Sequence, residues 1–148
     1  MRVKNVRPVV ALFVFLGVAS TFAQSVNKSI FSGIAVEGYD VTSYFLDGRP
    51  VPGSRDFSYT WRGALWLFST AAHRDLFAQD PEKFAPAYGG FCAYAVGNGY
   101  TAGIDPQAWS IVNGKLYLNY SPEVKQKWEQ RRAFFIEQAD RNWPGLSR

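Results

Sequence analysis

The sequence predicts a single small α+β domain built from two hairpin–helix units. Three observations carry that reading. The chain has 148 residues, a length that favours one domain. It is 47% apolar and 17% aromatic, too rich in core-forming residues for a disordered chain. Two strand pairs around tight turns, each followed by a helix-capping residue, recur at an offset of 51 positions.

The first 23 residues stand apart. Arg2, Lys4 and Arg7 precede an apolar run from Val9 to Ser20, and Thr21-Phe22-Ala23 puts small residues at −3 and −1 before Gln24. That is the order of a secretory signal peptide. The run of about 12 residues falls short of the roughly 20 that span a membrane, so an uncleaved anchor is the weaker reading. No Cys at the cleavage point offers a lipid attachment. The expectation is an exported, periplasmic protein with no stable membrane anchor after cleavage. Cleavage removes three basic residues and no acidic one, leaving 13 against 12 and a net charge of +1. Nucleic-acid binding needs a basic stripe. Only Lys125, Lys127, Arg131 and Arg132 approach one, on a solvated helix face interrupted by Glu129, so nucleic acid is not expected as a partner.

Gln24 to Ser32 is polar and reads as a mobile lead-in, 33–144 as the domain, and 145–148 as a tail. Asp40, after Gly38-Tyr39, is placed to cap the segment Val41 to Leu46. Asp47 to Gly53 is dense in turn residues and reads as a loop. Phe57 to Trp61 and Ala64 to Phe68 read as strands around Arg62-Gly63. Thr70 caps a helix to about Gln79, and Asp80-Pro81-Glu82 opens another short turn. Tyr88-Gly89-Gly90 breaks the chain. Phe91 to Val96 then reads as a short helix in preference to a strand. Trp109 to Val112 and Lys115 to Asn119 form a hairpin around Asn113-Gly114, the strongest turn signal in the chain. Ser121-Pro122-Glu123 caps a longer helix to about Asn142, which Trp143-Pro144-Gly145 ends. The two units read as copies: Gly63 meets Gly114, Leu65 meets Leu116, Trp66 meets Tyr117, Thr70 meets Ser121 and Phe77 meets Trp128. Trp61, Trp66, Tyr117 and Trp128 are expected to face a core.

The usual enzyme motifs, GxSxG, HExxH, a phosphate-binding loop and an EF-hand, are missing. One Cys and one His make neither an internal disulfide nor a closed zinc site. A Ser-His-Asp triad would have to use His73, and nothing in the sequence places a Ser and an acid beside it. Asp40, Asp80, Asp105 and Glu123 read as caps. Cys92 is the informative residue. If a helix starts at Gly90, Cys92 lies in its first turn, where free N–H groups favour a thiolate. Gly89 and Gly90 would let a ligand approach the backbone. The competing reading is a small buried hydrophobe. His73 is either an exposed helical histidine or a second ligand beside Cys92. Tyr88, Tyr94, Tyr100 and Trp109, beside the glycines, offer walls for a small organic ligand.

Several segments resemble the exported YHS-domain family. They are Val36-Glu37-Gly38-Tyr39-Asp40-Val41 with Tyr44-Phe45, Gly48 to Gly53, Phe57-Ser58-Tyr59 with Trp61, Arg74-Asp75-Leu76-Phe77, and Asp80-Pro81-Glu82-Lys83. Tyr88-Gly89-Gly90-Phe91-Cys92-Ala93-Tyr94-Ala95-Val96 and Gly114-Lys115-Leu116-Tyr117-Leu118-Asn119-Tyr120 complete the set. The resemblance spans roughly Gly33 to Pro144. It implies a YHS module like a treble-clef finger. The wider superfamily carries an early Cys and a Cys-x-x-x-Cys pair for zinc. Here the early position falls in Gly38 to Tyr44, which has no Cys, and the pair falls on Ser69 and His73, so the zinc site does not carry over. The exported branch keeps the single Cys of the Gly-Gly-x-Cys-Ala segment, and some members are described as selenoproteins, with selenium expected at the position of Cys92. The resemblance therefore implies a working Cys92.

The resulting expectation is an exported protein acting through Cys92 as an activated thiol. As a redox centre it has no second Cys and needs a partner thiol or a small-molecule thiol. As a soft-metal ligand with His73 it suits copper as Cu(I) better than zinc, although no Met remains in the mature chain. The alternative is a non-catalytic small-molecule-binding or structural envelope module with an aromatic pocket.

Overall fold

The computed structural model describes residues 24–148; the expected signal peptide lies outside the described residues. The described chain is an α+β domain, as the sequence predicts. It holds two antiparallel two-stranded sheets and six helices: α1 (Ser43–Leu46), β1 (Ser54–Trp61), β2 (Ala64–Phe68), α2 (Ala71–Gln79), α3 (Pro81–Phe84), α4 (Ala93–Gly97), β3 (Asp105–Val112), β4 (Lys115–Asn119), α5 (Pro122–Gln130) and α6 (Arg132–Leu146). No helix among the described residues is long and apolar enough to cross a membrane.

Turn chemistry sets both hairpins. Arg62-Gly63 and Asn113-Gly114 each take positive φ at both central positions, the backbone that a two-residue connection between twisted strands demands. Thr70 and Ser121 then cap α2 and α5, accepting hydrogen bonds from the N–H groups of His73 and Val124.

The repetition seen in the sequence is also a repetition of backbone. The pairs Ser54↔Phe68, Ser58↔Leu67 and Trp61↔Ala64 of the first hairpin reappear, 51 residues on, as Asp105↔Asn119, Trp109↔Leu118 and Val112↔Lys115, with an irregularity at the same place. Ahead of each hairpin the offset becomes 52. Val36, Glu37 and Gly38 have φ of 42, 58 and 78°, and Tyr88, Gly89 and Gly90 have 56, 62 and 84°. Three successive left-handed residues are uncommon, so their recurrence marks a shared local fold.

β4 divides the interior. Alternate residues of a strand face opposite sides. Leu116 and Leu118 join a core with Val36, Val41, Trp66, Phe68 and Phe77. Tyr117, between them, joins a second core with Tyr88, Val96, Trp128, Phe135 and Trp143. Burying such side chains is worth about 1.5–3 kcal/mol each.

Three stretches add to the sequence reading. Residues 24–32, the expected lead-in, bond to the rest of the fold through their backbone. Ser25 N donates to Ser147 O at 3.2 Å, Asn27 N to Gly89 O at 2.9 Å, and Val36 N to Asn27 O at 2.9 Å. The polar side chains hid a backbone that is bonded to the rest of the fold. The long helix after Ser121 is two helices, because Arg131 leaves helical geometry at φ −136° and ψ 40°. α6 also runs through Pro144 to Leu146, into the expected 145–148 tail.

Gly89 has φ of +62°, and a Cβ there would meet Ser25 O at 2.0 Å; at Gly48, with φ of +65°, a Cβ would meet nothing within 4 Å. Gly48→Ala should therefore cost only the left-handed backbone penalty, about 1–2 kcal/mol. Gly89→Ala should cost a further 1–3 kcal/mol or so through crowding. Urea denaturation of the two variants measures the difference.

Candidate functional site

Asp40 is a fully buried acid in the first unit. Its Oδ1 accepts from the backbone N–H groups of Thr42 at 2.9 Å and Ser43 at 3.2 Å. Its Oδ2 accepts from Ser69 N at 2.9 Å, Ser69 Oγ at 2.6 Å and His73 Nδ1 at 2.7 Å. Asp40 is thus the cap the sequence predicts, and more. Three stretches remote in sequence meet here as one hydrogen-bonded cluster. No spacing in the sequence puts a Ser and an acid beside His73, and both are present. They do not form a nucleophilic triad. Ser69 Oγ lies on the Nδ1 side, 3.5 Å from that nitrogen, and donates to the same carboxylate oxygen, whereas a nucleophile must face Nε2. His73 is also not an exposed helical histidine; its side chain is 12% exposed.

Cys92 occupies the matching position of the second unit, 52 residues on, immediately before α4. It is 1% exposed. The N–H groups of Ala95, Tyr120 and Tyr94 lie near enough to its sulfur to favour the charged form; those of Ser43, Ser69 and Thr42, at the matching positions, hydrogen-bond Asp40. The S–H points to Asn119 Oδ1 at 3.6 Å, and that oxygen also accepts from Tyr94 N at 3.1 Å. The sequence argument expects a lowered thiol pKa. Here burial pushes the thiol above its ordinary value, and the three amides only partly oppose it. A sulfur with so little contact with water loses more from desolvation than a one-turn helix end returns.

The two expected metal ligands, Cys92 and His73, each have a protein partner of their own. His73 Nδ1 is committed to Asp40, Cys92 faces Asn119, and no three His, Cys, Asp or Glu side chains among the described residues group to hold a metal ion. The aromatic residues expected to wall a pocket have separate surroundings. Tyr94 packs on Phe135, with ring centres 4.8 Å apart. Trp109 packs edge-on against Tyr44 at 5.3 Å. Tyr100 is exposed. The close approach that Gly89 and Gly90 permit is that of the chain itself, to Ser25 and Val36.

An open aromatic cleft of about 210 Å³ lies elsewhere, where the two units meet. Trp61 and Arg62 border it from the first hairpin, Lys115 and Tyr117 from the second, with Tyr88 and Trp143 alongside. Ala85, Pro86 and Ala87 line it between the units, and their small side chains leave the gap unfilled. Of the expected ligand-binding residues only Tyr88 and Gly89 reach it. Arg62 stacks on Trp61, its guanidinium carbon 4.4 Å from the ring centre, and donates to Glu82 Oε1 at 2.5 Å. Tyr88 Oη donates to Asp140 Oδ1 at 2.8 Å. Lys115 is half-buried and forms no ion pair among the described residues. Burial draws its ammonium below the ordinary 10.5. Its place in the repeat was a usable signal, since position 115 matches Ala64, a buried alanine of the first unit.

No protein-family model, curated protein or solved structure matches the chain.

Two outcomes follow. Iodoacetamide should modify Cys92 at least about 100-fold more slowly in the folded protein than in urea, because the attacking thiolate is both scarce and enclosed; comparable rates would contradict the burial. Stability should fall as pH rises above about 9. Cys92, Tyr44, Tyr88 and Tyr117 all have raised folded pKa values, so their contribution is whole below the unfolded values of about 8.5 and 10 and is lost as the unfolded chain sheds protons first. The lowered Lys115 pKa opposes this with a single group. Urea midpoints between pH 7 and 10.5 measure the sum.

Proposed function

We propose that the protein is an exported binding module that holds a small ligand in the cleft between its two hairpin–helix units. The observation that carries this reading is the cleft itself: rings from both hairpins, α6 and the Tyr88 turn border one opening, with charged groups beside them. Concave sites with apolar walls and a few polar groups are where small ligands bind. The module is of the YHS-like, treble-clef-like kind, with the Asp40, Ser69 and His73 cluster standing where that resemblance places zinc. The repeated hairpin register and repeated caps support two ββα units.

A second reading keeps Cys92 as a redox centre or soft-metal ligand. Three backbone N–H groups near one sulfur favour it, since such donors stabilise a thiolate once water or a metal reaches it. It requires an opening of the second unit, because the sulfur is enclosed.

A panel of single-ring compounds, titrated into isotope-labelled protein, separates the two. Amide shifts should gather at Tyr88, Lys115 and Tyr117 and persist in Cys92→Ser. Shifts gathered around Cys92, Tyr94 and Tyr120, or lost in Cys92→Ser, would favour the thiol.

A further inference from the structure

We propose that the cleft selects a small aromatic carboxylate, with the ring held between the cleft's aromatic walls and the carboxylate paired to Lys115 Nζ. The inference rests on the cleft being the ligand site and adds the chemistry of the ligand.

Size comes first. At about 210 Å³ the cleft is smaller than the roughly 300–1,000 Å³ of drug-sized sites, which fits one ring with a short substituent. The walls come next. Trp61, Tyr88, Tyr117 and Trp143 line the cleft, and aromatic side chains hold a flat ring by offset or edge contacts.

Charge decides the substituent. Arg62 is already stacked on Trp61 and paired with Glu82, with Gln24 Oε1 accepting a further bond at 2.8 Å. Asp140 already accepts from Tyr88. Lys115 is the lining cation without a carboxylate in bonding range. A half-buried ammonium beside aromatic walls loses hydration, and the nearby Glu82, already paired with Arg62, offsets that loss only in part. A carboxylate arriving with the ring would offset the rest through a charge-assisted hydrogen bond. A neutral ring would leave the ammonium unpaired, and a cationic ring would place a second positive charge beside Lys115 with Asp140 as its available partner.

The lysine is also locally costly. The equivalent position of the first unit holds a buried alanine, so the strand register does not call for a long charged side chain here. Charged groups kept where packing would prefer an apolar one are expected at sites of function.

Benzoate, benzamide and benzylamine, titrated at low salt against the wild-type protein, Lys115→Met and Lys115→Arg, test this. Tryptophan fluorescence and amide shifts of Lys115 and Tyr117 are the readouts. Benzoate should bind roughly ten- to a hundredfold tighter than benzamide. In Lys115→Met that ratio should fall to near one with benzamide affinity kept, and Lys115→Arg should retain part of it. Lys115→Met should melt at or above the wild-type temperature, so loss of folding does not confuse the result. Equal binding of benzoate and benzamide to the wild type would overturn the carboxylate preference and leave the cleft reading standing. Preference for benzylamine would give the recognition to Asp140 and overturn it likewise. No shift at the cleft with any of the three would count against both.

Discussion

The Asp40 carboxylate accepts five hydrogen bonds from three separate stretches of chain: the turn into α1, the residue after β2, and the first turn of α2. A buried carboxylate is tolerable only when its oxygens are satisfied. Its burial thus holds the turn, the hairpin end and the helix in fixed relation. The aromatic core of the first unit, Trp66, Phe68 and Phe77, packs against that frame. The second unit repeats the frame with Cys92 at the matching position and the same three kinds of backbone donor around it.

That comparison changes what the cysteine means. Taken alone, a lone cysteine after two glycines suggests a reactive thiol. Beside Asp40 it is the second unit's version of a capping position, enclosed and unionised. The position matching His73 is Val124, so the second unit supplies no imidazole beside its cap. Chemistry in this molecule is better sought where the two hairpins differ on their open faces. Lys115 against Ala64, and Arg62 against Asn113, are such differences, and both charged members border the cleft.

Much of the fold was legible because it is local. Arg62-Gly63 and Asn113-Gly114 announced the hairpins, Thr70 and Ser121 announced the helices, and the offset of 51 linked the units. The site was less legible because it depends on contacts remote in sequence. Asp40 reaches Ser69 and His73 only once β2 has brought the start of α2 back, and no spacing rule encodes that. The cleft was hidden for a different reason. The sequence predicts Trp66 and Tyr117 as core residues, and both are buried, but the small Ala85-Pro86-Ala87 stretch leaves space beside them that hydrophobic pattern alone does not reveal. The bonding of the polar lead-in was hidden in the same way, since its hydrogen bonds are made by backbone that composition does not describe.

Placing the function in a cleft rather than at a thiol can be tested on the protein isolated from its native source. Intact mass under non-denaturing conditions, compared between the wild type, Cys92→Ser and Lys115→Met, is the most direct measurement. A small added mass present in the wild type and Cys92→Ser, and lost in Lys115→Met, is the predicted result. An added mass that disappears in Cys92→Ser and survives in Lys115→Met would contradict the account and return the function to the sulfur.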